Sequence, residues 1–155
     1  SSWADRLFCY HADLDEFTEE MIDEKYELII SNPPFYTEDY QSGDTARNMA
    51  RFAEALPFED LIKFASELLS DDGSFAVIIP YSEEEYFLKL AEKVNLFPNR
   101  ITRVRGTEKM PFKRSLLQLS FTEGSFSPDE LILEESRHQY TQDYQKMVAP
   151  FYLKL

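Results

Sequence analysis

Asn32-Pro33-Pro34-Phe35 is the stretch whose residue types and order lend themselves most directly to chemistry. It follows Tyr26-Glu27-Leu28-Ile29-Ile30-Ser31, a near-continuous apolar run of the kind that is buried on both faces of a parallel sheet. The proline pair must end that strand, because it lacks two ladder donors. In open α/β sheets ligands bind beyond the carboxyl ends of strands, and the tetrapeptide falls there. An exocyclic base amine is a poor nucleophile, since its lone pair is delocalised into the ring. Two acceptors aimed at its two N–H bonds hold the nitrogen and turn the lone pair toward an electrophilic methyl carbon. The Asn32 side-chain oxygen is one such acceptor. The Pro33 carbonyl, held by fixed proline φ angles, is another. Phe35 offers an aromatic face for stacking. For two prolines alone a rigid turn is the better reading; their place after a buried strand favours a site.

The flanking sequence must position this tetrapeptide. Arg6 to His11 reads as a short apolar strand running into the acidic stretch His11–Glu16, and residues 15–24 as a loop or short helix. A polar loop follows from Tyr36 to about Arg47, then helical character from 46 to 56. Pro57 suits the first turn of a helix in which Leu61, Phe64, Ala65 and Leu68 recur at helical spacing until Asp71-Asp72-Gly73. Ser74–Ile79 is a second buried strand, closed by Pro80. Ser82 with Glu85 has the form of a capping box opening a helix to about Val94. Strands at about 99–105 and 115–122 flank the loop 106–113, which is too short for a crossover helix, so they run antiparallel. Glu130–Glu135 reads as a strand, and Tyr140–Leu155 as a helix or arm with Tyr144, Met147, Val148 and Phe151 on one side. Strands alternating with helices over short links predict a mostly parallel α/β sheet, as one unit across 1–155.

Charge and composition narrow the partners. The net charge of −13 argues against a nucleic-acid partner as a sum, yet the distribution is uneven. From Arg100 to Arg114, six basic residues (Arg100, Arg103, Arg105, Lys109, Lys113, Arg114) face only Glu108, a local +5 against −18 for the remainder. One basic segment on an acidic body suits phosphate binding at one face, and equally a solvated surface. No apolar run reaches the roughly 18–20 residues of a membrane span. Cys9 is the only cysteine, read as a buried, reduced strand residue, which fits a reducing cytoplasm. The glycines, at 43, 73, 106 and 124, are too scattered to form a phosphate- or cofactor-cradling loop.

Asn-Pro-Pro-Phe after a strand resembles the catalytic motif of amino-group methyltransferases, which act on adenine, cytosine or glutamine side chains. Together with Asp44-Thr45-Ala46-Arg47, Lys113-Arg114-Ser115-Leu116-Leu117 and Tyr140…Phe151-Tyr152-Leu153, the chain is similar over nearly its whole length to the tRNA1(Val) (adenine-37-N6)-methyltransferase family. The resemblance implies a Rossmann-like class I methyltransferase sheet, mostly parallel with an antiparallel last strand. It implies S-adenosyl-L-methionine as cofactor and tRNA as partner, with no metal and no membrane. Asn32, Pro33, Pro34 and Phe35 would be catalytic. Asp13 would accept from the adenine amine of the cofactor, with Leu14 packed on its ring and Asn32 nearby. Tyr36 and Arg47 would line the substrate entrance, and Lys109, Lys113 and Arg114 would meet RNA phosphates.

The chain departs from that family at its start. Members begin with a strand, a glycine-rich loop and a ribose-binding acid, none of which is present, so the chain reads as an N-terminally truncated piece covering the last two-thirds. In the family sheet two strands lie between Arg6–His11 and Tyr26–Ser31. This chain alone is therefore expected to bind cofactor poorly, with its open sheet edge paired to another copy or its first strand displaced. Competing readings are an N-methyltransferase for ribosomal RNA, DNA adenine or protein glutamine, and an inactive module that only binds RNA or protein.

Overall fold

The computed structural model describes residues 5–34 and 57–152. In chain order it comprises α1 (Leu14–Glu20), β1 (Tyr26–Ser31), α2 (Phe58–Leu68), β2 (Leu69–Pro80), a 3-10 turn (Tyr81–Glu83), α3 (Glu84–Glu92), β3 (Phe97–Arg105), β4 (Arg114–Ser120), β5 (Asp129–Ile132), β6 (Glu134–Ser136), β7 (Gln139–Tyr140) and α4 (Gln142–Val148). Five strands form one sheet in the order β1-β2-β4-β3-β5, and β6 and β7 form a separate hairpin. β1 pairs parallel with β2, and β3 parallel with β5. β4 runs antiparallel to both of its neighbours, as the short 106–113 loop requires. The loop 36–47 and the helical stretch 46–56 read from the sequence lie outside the described residues.

Alternation along the strands selects which side is covered. Phe75, Val77 and Ile79 of β2 and Leu117 and Leu119 of β4 are buried on one face. α2 and α3 seal that face with Leu61, Ile62, Ala65, Phe87, Leu90 and Ala91. The Phe87 ring sits 5.1 Å from Phe58 and 6.4 Å from Phe75, tying both helices to the sheet. Asn95 ends the α3 turn with φ 59°, a left-handed conformation asparagine tolerates, and the Leu96 N–H donates back to the Ala91 carbonyl at 3.0 Å.

Several sequence expectations are corrected here. Arg6–His11 is not a strand, and Leu7, Phe8 and Tyr10 are 66%, 76% and 56% exposed. Cys9, expected buried, is exposed as well. An apolar segment becomes a strand only where a neighbouring edge takes its N–H and C=O groups, and no described strand pairs with this one. β1 forms where expected, but it is not covered on both faces: Leu28 and Ile30 are 57% and 73% exposed.

Asp71-Asp72-Gly73 does not form a turn. α2 stops at Leu68, and β2 begins at Leu69 with an irregular start, the register against β1 jumping from Leu69 opposite Tyr26 to Ser74 opposite Leu28. Gly73 sits where a Cβ would come within 2.8 Å of Leu69 and 2.9 Å of the Ser70 carbonyl, so the crowded start of β2 requires it. The capping box of Ser82 and Glu85 does not form either. A 3-10 turn precedes α3, no side chain caps it, and Glu85 instead pairs with Lys89 one turn on at 2.6 Å. Glu130–Glu135 is split between β5 and β6. α4 is capped by Thr141, whose hydroxyl accepts from the Tyr144 N–H at 3.3 Å. Its expected apolar side is half covered: Tyr144 and Val148 are partly buried, while Met147 and Phe151 are exposed.

Candidate active site

Because β1 and β2 are parallel, their carboxyl ends lie at one edge of the sheet, with Ser31 opposite Val77. Asn32-Pro33-Pro34 leaves that edge after β1, and Tyr81 leaves it after β2. β4 enters from the same edge, since Pro80 pairs with Arg114, and β3 exits there, since Val104 pairs with Arg114. The segment Gly106–Lys113 therefore lies at the same end of the sheet as the asparagine–proline motif, with β2 between the strands that carry them. Two hydrogen bonds fasten the loop: the Tyr81 N–H donates to the Lys113 carbonyl at 3.2 Å, and the Lys113 N–H to the Val104 carbonyl at 2.8 Å.

Within the motif, Pro33 is buried whereas Asn32 and Pro34 are exposed. The Asn32 side chain makes no hydrogen bond to a described residue, so its amide is available to a ligand. Phe35, Tyr36 and Arg47, also expected to contribute, lie outside the described residues. Asp13 stands at the N-cap of α1 with extended backbone, exposed, and its carboxylate caps nothing. Leu14, expected against a cofactor ring, packs on the protein's own core.

The basic segment is less free than its sequence suggests. Arg100 meets Asp129 at 3.3 Å, Arg105 meets both Glu130 oxygens at 2.9 and 3.0 Å, and Arg103 meets Glu84 at 2.7 Å. Three of the six cations are thus matched by carboxylates distant in sequence. Lys109, Lys113 and Arg114 are exposed, and no described carboxylate pairs with Lys109 or Lys113.

Sequence reasoning missed the most organised cluster at this edge. Glu84 opens α3 and is buried; it accepts from Arg103 Nε and Nη2 and from the Ser115 hydroxyl at 2.5 Å. The hydrogen bonds it donates to Glu84 hold the Arg103 guanidinium above its ordinary range. One carboxylate thereby joins the start of α3, the end of β3 and the start of β4. The Arg103 guanidinium lies 5.6 Å from the Tyr81 ring, Tyr81 is 5.2 Å from Phe112, and Arg105 is 5.2 Å from Phe112. Nothing local marks these partners, which stand 19 and 31 residues from Glu84. Three adjacent glutamates look alike until the fold buries one.

The relation to known proteins is consistent with this geometry. No family model matches the chain. The fold is similar to that of a predicted O-methyltransferase, Atu636 from Agrobacterium tumefaciens, which superposes with a TM-score of 0.57 at 19% identity, over 80% of this chain and 51% of that one. The whole chain aligns with the tRNA1(Val) (adenine(37)-N6)-methyltransferases of Christiangramia forsetii, at 57% identity, and Flavobacterium johnsoniae, at 53%. The chain is thus similar along its whole length to proteins of that name. It spans about 65% of the length of these curated relatives.

Replacing Glu84 with alanine would leave Arg103 and Ser115 without their common acceptor. A fully buried pair broken in this way costs about 3–5 kcal/mol. With the Arg103 side chain 32% exposed the expected loss is smaller, roughly 2–3 kcal/mol. Urea denaturation checks this, and a change below about 0.5 kcal/mol would mean the cluster is not holding the edge together.

Proposed function

We propose that the complete polypeptide transfers a methyl group from S-adenosyl-L-methionine to the exocyclic N6 amine of adenine in RNA, with adenine 37 of tRNA1(Val) as the target. The observation that carries this is the free side chain of Asn32 beside the buried Pro33, at the sheet edge that also holds the basic loop. The likeness of the chain to relatives named for that activity supports it. A cytoplasmic location follows from such a substrate, and these residues would then form one part of a larger methyltransferase domain.

In this reading the Asn32 oxygen and the Pro33 carbonyl accept the two N–H bonds of the amine. Both bonds strengthen as positive charge grows on nitrogen, so the motif favours the transition state over the bound base. Burial of Pro33 keeps its carbonyl from drifting. No strong base is required, because the methylated nitrogen is acidic and loses its proton readily. Phe35 would stack on the base, which must leave its own stack to enter. Tyr36 and Arg47 would line the entrance, while Lys109, Lys113 and Arg114 would meet phosphates.

The cofactor, when bound, would supply the electrophilic methyl group. The residues present fit only its adenine end, where the exposed Asp13 carboxylate has no competing hydrogen-bond partner. Leu14 faces the core instead, and the four separated glycines build no loop for the methionine end. The 155 residues alone are accordingly expected to bind the cofactor poorly. We also infer that this isolated chain self-associates through the outer edge of β1, where Leu28 and Ile30 stand exposed and no described strand pairs. Sedimentation of the chain and of Ile30→Lys tests this: the variant should shift toward monomer, and a parent already monomeric at high concentration would end the idea.

Asn32→Ala in the complete polypeptide should lower kcat on tRNA by about 10²–10³, the usual loss for one preorganised hydrogen-bonding partner. Turnover of labelled cofactor at the parent rate would remove the motif from the reaction. Reversing charge at Lys113 and Arg114 separates RNA from a glutamine side chain as substrate. For RNA, affinity falls and the slope of log K against log salt shrinks by about 0.7 per lost phosphate contact. An unchanged profile would favour a protein substrate.

A further inference from the structure

Two features of the 106–113 loop are left over once its cations are assigned to phosphates. The first is its aromatic and apolar content: Met110 is 53% exposed, and Phe112 packs against Tyr81, itself 37% exposed. The second is its bracing. The Tyr81 backbone is hydrogen-bonded to Lys113, and Arg103, held by Glu84, sits against the Tyr81 ring. A loop that needed only to present positive charge would gain nothing from a fixed aromatic pair at its base.

Resting on the RNA reading above, we propose that Tyr81, with Phe112 behind it, is a stacking platform for an unpaired nucleotide that neighbours the target adenine. Three observations converge on it. Tyr81 leaves the sheet from the strand directly beside the one that carries Asn32, at the same edge. Lys109 and Lys113 flank the aromatic pair without carboxylate partners among the described residues, so a backbone passing over the rings meets uncompensated positive charge. The Glu84–Arg103–Ser115 cluster fixes the platform beforehand, reducing the ordering cost on binding. Aromatic side chains interleaved with cations are how single-stranded nucleic acid is held without reading its sequence. Tyr81 would thus be a positioning residue: it aligns the strand so that the neighbouring base enters the Asn32 pocket.

The test uses the complete polypeptide and an unmodified tRNA transcript carrying 2-aminopurine at each nucleotide flanking the target in turn. Binding should change the fluorescence at one flanking position for the parent and for Tyr81→Phe, which keeps the ring. Tyr81→Leu should abolish that change and weaken tRNA binding about tenfold, as expected for one stacked base, with cofactor affinity and melting temperature retained. Lys113→Gln should weaken binding in a salt-dependent manner while the fluorescence change persists at saturation. If Tyr81→Leu binds within twofold of the parent and the signal survives, the platform is refuted while methylation by the parent leaves the wider reading intact. If the parent neither binds nor methylates tRNA, both fall together.

Discussion

The parallel ladder between β1 and β2 is the contact on which the candidate site depends. Parallel pairing brings two carboxyl ends to one edge, so a motif after the first strand and a turn after the second become neighbours despite the 48 residues between Asn32 and Tyr81. The antiparallel insertion of β4 then returns the chain to that edge with Arg114, and β3 delivers Arg105 there. Were β4 parallel, its first residue would start from the opposite edge. The direction of one strand decides whether the asparagine–proline motif and the basic loop share one end of the sheet.

Electrostatics at this edge follow a division of labour that burial imposes. An arginine drawn toward the sheet needs an acceptor, because an unpaired charge in a low-dielectric setting is costly. Arg103 finds Glu84, and Arg105 finds Glu130 and stacks on Phe112. The exposed pair of Arg100 and Asp129 contributes little to stability, though it still cancels charge. What remains outward is carried by lysines, whose flexible ammonium groups suit contact with a polyanion. A local charge of +5 read along the chain is therefore a smaller field in space, concentrated at the tip of the loop beside the candidate pocket.

Among the described residues, helices α2 and α3 cover one face of the sheet, the side lined by Phe75, Val77, Ile79, Leu117 and Leu119, while Leu28 and Ile30 on β1 remain open. Leu7, Phe8 and Tyr10 stay exposed as well: apolar side chains and backbone donors need a neighbouring edge before a strand forms.

Much of this was legible from residues alone. The β1 strand, its termination by Pro33 and Pro34, the helix over Leu61–Leu68 and the antiparallel pairing of β3 with β4 all rest on local rules: side-chain periodicity, missing donors and loop length. The asparagine–proline motif was legible because its chemistry needs only neighbouring residues. Three features were not legible: the Glu84–Arg103–Ser115 cluster, the cancellation of three arginines and the Tyr81–Phe112 pair. Each joins residues from separate elements, and nothing in a linear pattern says which of several similar glutamates will face which arginine. Asp71-Asp72-Gly73 and Arg6–His11 failed for a related reason. Local preference proposes a turn or a strand, but the hydrogen-bonding partner decides, and only the folded chain supplies or withholds that partner.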